Sequence, residues 1–264
     1  MNLEYLARAT EILEQIDRTQ AGPIARAAET MANSIASDGL VHMFGAGHSA
    51  LPVAEAYPKC GNIVGFHPLV ELALMNFTSV IGSNGLPQFT FLERAEGYGR
   101  AILESHVLHA CDTMLIFSQS GINPPVLEVA LGAQEHGLKV VAVTSVGQCS
   151  QSVTRHSSGK RLIEAADIVI DTCVPFGDVT LQVEGMDEPM GPASTLASIA
   201  IVNALIVEVA KALVSRGEHP IVNPTLNAPG GVAAADARMR RALAEYRRRT
   251  QRPVSDTEDE HADR

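Results

Sequence analysis

The sequence predicts an α/β protein: a three-layer sandwich with a five-stranded parallel sheet between helices, preceded by an N-terminal helical hairpin. Three observations predict it. Five short apolar runs with strand propensity recur: LVHMF at 40–44, NIVGF at 62–66, TMLIFS at 113–118, KVVAVTS at 139–145 and DIVIDT at 167–172. Their nearly continuous apolar character marks strands covered on both faces. Gly or Ser and then a helical stretch follow such runs, at 50–59, 125–136 and 193–214, which is the alternation of a parallel sheet with right-handed crossovers.

Before the first run, Leu3, Leu6, Ile12, Leu13 and Ile16 recur at helical spacing, and a second amphipathic stretch opens at Pro23 and stops at Asp38-Gly39. These signals predict the hairpin over 1–38, a packing and dimerisation element. The main domain spans 39–232. Within it, the long segment 67–112 has turn signals at 82–87 and a helical stretch at 93–109. A connection of that length in a compact domain is usually functional. The remainder, 233–264, reads as a basic helix end at Arg238, Arg240, Arg241 and Arg247 to Arg249, then a disordered acidic tail, SDTEDEHADR.

A chain of 264 residues, 46% hydrophobic and 19% charged, can bury a proper core. Its formal net charge of −10 disfavours nucleic acid and anionic membrane as partners. The start MNLEYLARATEILEQIDR has early acids and no apolar core of a signal sequence, so a cytoplasmic location is expected by default. The apolar stretch 194–214 is interrupted by Asn203, Glu208 and Lys211 and reads as a core or interface helix. Cys60, Cys111, Cys149 and Cys173 show no metal-ligand spacing, and no metal or cofactor is expected.

Chemistry concentrates in two loops. Gly45-Ala46-Gly47-His48-Ser49 follows the first strand and opens a helix, where backbone N–H groups and the helix dipole receive an anion. It lacks the third glycine of a dinucleotide fingerprint and the Gly-Lys-Ser/Thr of a triphosphate loop. Ser118-Gln119-Ser120-Gly121-Ile122-Asn123 sits likewise between a strand and a helix. Two such loops at carboxyl ends of parallel strands point to one ligand site, since that edge is where open α/β sheets bind.

These motifs, a strand ending G-x-G-x-S and a later S-x-S-G turn, resemble the SIS (sugar isomerase) domain family over about 35–215. The SQSG turn is similar to that of the isomerase domain of glucosamine-6-phosphate synthase. The resemblance implies a flavodoxin-like fold in which Ser49, Ser118, Gln119, Ser120 and Asn123 surround a phosphate, with Gly47, His48 and Gly121 completing the loops; Asn123 stands where that family often has Thr. Over its greater length, including HPIVNPTLNAPGG at 219–231, the chain looks similar to bacterial single-SIS proteins that include an N-acetylglucosamine-6-phosphate dehydratase, whose chemistry is akin to that of N-acetylmuramic acid 6-phosphate etherase. Such proteins imply a homodimer with shared active sites and a sugar phosphate as ligand, without metal or nucleotide.

A carboxylate beside C2 of an open-chain aldose phosphate can remove its acidified hydrogen. Return of the proton at C1 gives a ketose; loss of the C3 hydroxyl gives a 2,3-unsaturated product. Glu55, six residues after Ser49, is the first candidate for the proton transfer, although the etherase carries its glutamate one turn later, where this chain has Lys59. Glu184, ahead of the helix that begins near Pro192, resembles the placement of the synthase's isomerase glutamate, and equally suits a helix N-terminus. His67, read as following the second strand at the same sheet edge, could protonate a leaving hydroxyl or open the ring. Ser194 and Thr195 serve as donors or caps. The expected function is dehydration of N-acetylglucosamine 6-phosphate by a hydro-lyase; the alternatives are an aldose-ketose isomerase or deaminase, and a non-catalytic sugar-phosphate sensor.

Overall fold

The computed structural model describes residues 3–75, 85–225 and 231–253. Five parallel strands form one sheet in the order β2-β1-β3-β4-β5, with β1 at Val41–Gly45, β2 at Phe66–Leu69, β3 at Thr113–Phe117, β4 at Lys139–Thr144 and β5 at Ile168–Asp171. Because side chains alternate across a strand, each central strand feeds two cores. Val41 and Met43, Leu115 and Phe117, Val141 and Val143 face one layer; Phe44, Met114, Ile116, Val140 and Ala142 face the other.

The first layer is made by α1 (Glu4–Ala36), α2 (Leu51–Ala56) and α8 (Ser194–Ser215). In place of a hairpin, α1 is a single 33-residue helix that runs through Pro23. A proline removes one backbone hydrogen bond, but Ile12 and Ile16 before it and Ile24, Ala27 and Met31 after it are buried in the same core, and that continuous apolar face carries the helix across. Its α8 partner is long and apolar enough to cross a membrane by length and composition, yet Ala197, Ile201, Val202, Leu205 and Val209 are packed in the core. It is the core helix the interrupting polar residues suggested.

On the opposite face lie α3 (Gly85–Leu92), α4 (Tyr98–Glu104), α5 (Pro124–Glu135) and the short α7 (Leu162–Ala165); α6 (Val146–Gln151) follows β4. The expected helix at 93–109 is shorter and begins later, because Gly97 adopts a left-handed conformation (φ 88°) that starts α4 afresh. Glu128 of α5, only 4% exposed, fixes that restart by accepting hydrogen bonds from the backbone N–H groups of Gly97 and Gly99. Finally α9 (Gly231–Thr250) returns to the amino ends of the strands, where Arg249 donates to the carbonyls of Ile35 and Gly39, both at 2.9 Å. The expected acidic tail and part of the turn at 82–87 lie outside the described residues.

The second strand departs most from expectation. It is Phe66-His67-Pro68-Leu69 rather than 62–66; Ile63 instead forms an antiparallel bridge with Val222. A proline inside a strand is tolerated here because β2 lies at the sheet edge.

Candidate functional site

The strand order reverses at β1: the chain goes from β1 outward to β2, then crosses back to β3 on β1's other side. In open α/β sheets such a switch point opens a crevice at the carboxyl ends of the strands. The two loops read from the sequence flank it. Gly45 pairs in register with Phe117, so GAGHS and SQSG leave the sheet at the same level.

The first loop forms a tight 3-10 turn, Gly47–Ala50, in which Gly47 takes φ 61° and Ser49 N donates to Ala46 O at 3.2 Å. Its shape depends on Gly45, where an added Cβ would collide with the backbone carbonyl of Ser49. Gly45→Ala is therefore expected to cost about 1–3 kcal/mol through overpacking and to weaken ligand binding; thermal melting with and without ligand checks both. Ser49 is half-buried and His48 exposed. Glu55, on α2 behind this loop, is half-buried and accepts from Lys59 Nζ at 3.0 Å, so the lysine at the next turn partners the glutamate.

In the second loop the backbone N–H of Gly121 donates to Ser118 Oγ at 3.1 Å, and Gly121, at φ 63°, packs where a Cβ would lie 2.6 Å from Cys149 Sγ. Gln119 is tied inward: its carbonyl receives Ser145 N at 3.2 Å and its Oε1 receives Thr172 Oγ1 at 3.3 Å. Its Nε2 is buried with no hydrogen-bond partner. Such orphans are rare in folded proteins, and an amide N–H in this position can serve a ligand oxygen.

Two residues that sequence reading missed meet at Asn123, the N-cap of α5. Asn123 Nδ2 donates to Glu93 Oε2 at 2.8 Å, and Arg155 Nη1 donates to Asn123 Oδ1 at 2.6 Å. A cation and a carboxyl group thus flank the position next to the phosphate-type loop. Burial pushes the Glu93 carboxyl up from its ordinary range, against the opposing charges of Arg155 and Arg94. The loop bearing Arg155 is held by Glu96, which accepts from the backbone N–H and hydroxyl of Ser157 at 2.6 and 2.7 Å. Neither Glu93 nor Arg155 lies in a recognisable motif, since their common partner is about 30 positions away from each.

Other expected site residues lie apart. Ser194 opens α8, but its N–H and hydroxyl donate to Asp178 at 2.8 and 2.6 Å, as does Ala193 N at 2.9 Å. The protein's own carboxylate thereby takes the anion position at this helix N-terminus, with half-buried Thr195 beside it. Glu184 lies beyond β5 in an exposed loop closed by the Leu181–Met190 bridge.

His67 corrects its sequence-based placement. It pairs in register with His42, the second residue of β1, and so sits toward the amino ends of the strands, away from both loops. There its Nδ1 meets the Tyr246 hydroxyl at 2.6 Å. Burial, followed by repulsion from His42 and His106, lowers its pKa to about 4. The unfolded chain takes up this proton near pH 6.5, so the stability His67 contributes is complete above that pH and is lost as pH falls toward 4. The expected loss is of the order of 2 kcal/mol once solvent screening of this part-exposed ring is included. Melting temperature against pH checks this, and His67→Gln should flatten the curve in that window.

Among the described residues, no group of three or more His, Cys, Asp or Glu side chains is placed to hold a metal ion. The family model for the SIS domain matches residues 4–145. The chain belongs to the SIS-domain family. A UPF0309 protein from Streptomyces avermitilis is 34% identical over 86% of this chain and 89% of its own length. Another from Shouchella clausii is 29% identical over 90% and 95%. Among solved structures, phosphoheptose isomerase from Neisseria gonorrhoeae superposes with a TM-score of 0.52 at 17% identity, covering 79% of this SIS-domain chain and 96% of its own. The Francisella tularensis phosphoheptose isomerase does so with a TM-score of 0.51 at 18% identity, covering 79% and 95%. The fold is shared with both.

Proposed function

We propose that this SIS-domain protein is a sugar-phosphate enzyme that removes water from N-acetylglucosamine 6-phosphate. The phosphate is received by the loops at the β1–β3 crevice: Ser49 with the backbone of Gly47 and His48 on one side, Ser118, Gln119, Ser120, Gly121 and Asn123 on the other, and Arg155 supplying charge. Glu55 takes the C2 proton, leaving the electron pair in an enolate; Glu93 delivers a proton to the departing C3 hydroxyl, so that the C2–C3 double bond and one water form together. The observation that carries this reading is Glu93, a carboxyl group raised by burial beside the second loop. Glu55 is the carboxyl on the first-loop side, 3.0 Å from the Lys59 ammonium group.

Incubation of the purified protein with N-acetylglucosamine 6-phosphate should yield a product lighter by one water in the mass spectrum. A product of unchanged mass with a ketose carbonyl would replace elimination by aldose-ketose isomerisation, the second reading, which the likeness to phosphoheptose isomerases favours. Tight binding with no turnover would leave the sensor.

The same reading includes a homodimer. A groove of about 440 Å³ between α1 and α8 is lined by Leu13, Ile16, Ile24, Ala200 and Ala204, Leu6, Val207 and Val214 are exposed on the same two helices, and the exposed loop at 181–190 presents Glu184 to a neighbouring copy. If Glu184 completes the site of the opposite subunit, inactive Glu55→Gln and Glu184→Gln proteins, unfolded together and refolded as a one-to-one mixture, regain about a quarter of wild-type activity, the share expected of a two-fold dimer with one intact site in each mixed pair. Failure to regain activity would place Glu184 outside the neighbouring site.

A further inference from the structure

A second cavity of about 250 Å³ lies toward the amino ends of β1 and β2. His42 precedes Gly45 by three residues, so at about 3.3 Å per residue this cavity is roughly 10 Å along β1 from the glycine-serine loops. His42, His67, His106 and His109 line it together with Arg249 and Arg252.

One buried carboxylate, Asp112, adjoins this group, and its oxygens are already engaged. It accepts from Leu40 N at 2.8 Å, His109 N at 3.0 Å, His42 Nε2 at 2.9 Å and Arg252 Nη2 at 2.7 Å. The neighbouring acids are also paired, Glu245 with Arg248 and Arg249, and Asp38 with Arg248. Cys111 Sγ faces Arg252, and Tyr57 stacks on Tyr246 with ring centroids 4.7 Å apart. Among the described residues beside this cavity, these carboxylates are therefore already partnered.

His42 is 1% exposed, and its Nδ1 is buried with no hydrogen-bond partner. Because a buried polar atom of this kind is nearly always satisfied, this nitrogen points to a ligand. His67 Nδ1 lies 2.6 Å from the Tyr246 hydroxyl. The ring centroids of His42 and His67 lie 5.3 Å apart, and those of His67 and His106 lie 6.0 Å apart. Burial, followed by repulsion from His42, lowers the pKa of both His67 and His106, and His106 adds to the effect on His67. An entering anion reverses that balance, since opposite charge at close range favours the protonated rings, which then donate to it.

We propose that this cavity binds a small tetrahedral oxyanion, a phosphate group that keeps one proton: its P–OH donates to His42 Nδ1 and its other oxygens accept from His67 and His106, with the ion-paired Arg249 and Arg252 at the rim. Hydrogen-bonding groups arrive from β1, β2, the 105–109 segment and the end of α9, rather than as the flat fork that suits a carboxylate. Because α9 supplies Tyr246 and Arg249, an occupant here also fastens that helix to the sheet.

The test uses the full chain carrying Ser118→Ala and Ser120→Ala, which disables the loop site. It is titrated with inorganic phosphate and, separately, glycerol phosphate at pH 6 and pH 8, by calorimetry in two buffers of different ionisation enthalpy and by histidine ring NMR. The expected result is saturable binding at least tenfold tighter at pH 6, net proton uptake, and movement of the His67 and His106 signals toward imidazolium. His106→Gln, at a half-buried position, should weaken binding at least tenfold with an unchanged circular dichroism spectrum. Tighter binding of inorganic phosphate identifies the free ion as occupant; tighter binding of glycerol phosphate identifies an ester; either supports the cavity. Equal affinity at both pH values, or ring signals that stay fixed in wild type and variant alike, overturns the proposal. Phosphate binding abolished by the two serine substitutions also overturns it, and leaves the loop site standing.

Discussion

Glu93→Gln should lower turnover of N-acetylglucosamine 6-phosphate by on the order of 10²- to 10⁴-fold, the range lost when a positioned acid or base is removed. Gln keeps an oxygen for Asn123 Nδ2, the partner of Glu93 at 2.8 Å, so the loop should hold its shape and the Michaelis constant should move little. The loss then falls on kcat, the sign of an interaction made in the transition state. The rate should also fall as pH rises through the pKa of Glu93, which burial has moved upward and which the variant lacks. A Glu93→Gln enzyme with wild-type kcat would remove Glu93 from the chemistry, whatever the substrate.

The second large effect is on stability. Asp112→Asn should destabilise the fold by about 3–5 kcal/mol, the cost of breaking a buried charged pair from one side. Asp112 is wholly buried against His42 and also meets Arg252. Burial alone would raise its pKa, but the bonds from His42, Leu40 and Arg252 outweigh it and hold the carboxyl well below the usual range. A depressed folded pKa contributes stability that is present above the unfolded value, near pH 4, and is lost as pH falls below it. The loss of stability between pH 7 and pH 3 in urea melts should therefore be smaller for Asp112→Asn than for wild type, the remainder coming from His67 and the other paired carboxylates. A change under about 1 kcal/mol at pH 7 would show that the network contributes little.

The strands were readable because a parallel sheet covered on both faces needs continuous apolar runs, and four of the five runs stand where they were expected. The error at β2 propagated. Asn62-Ile63-Val64 looked like strand, but the backbone there pairs with the segment 221–223, contributed by residues roughly 160 positions later. Moving the strand to Phe66–Leu69 carried His67 from the ligand edge to the opposite one. The hairpin failed for a related reason: Pro23 is a reliable local signal of a helix start, and only packing against α8 overrides it. Of the candidate site, the two loops were legible as motifs because backbone conformation demands glycine there. Glu93 and Arg155 were not, since each acquires meaning from Asn123 through the tertiary fold.

The reach of Arg252 to Asp112, 140 positions back, has a consequence for synthesis. On the ribosome every strand of the sheet emerges before α9 does, so the nascent domain must pair its strands while that buried carboxylate still lacks its guanidinium. Closure of a loop this long carries an entropic cost that local contacts cannot offset, and docking of α9 follows assembly of the sheet. Sheet assembly and α9 docking are thereby separate steps, the second bringing Asp112 its guanidinium partner.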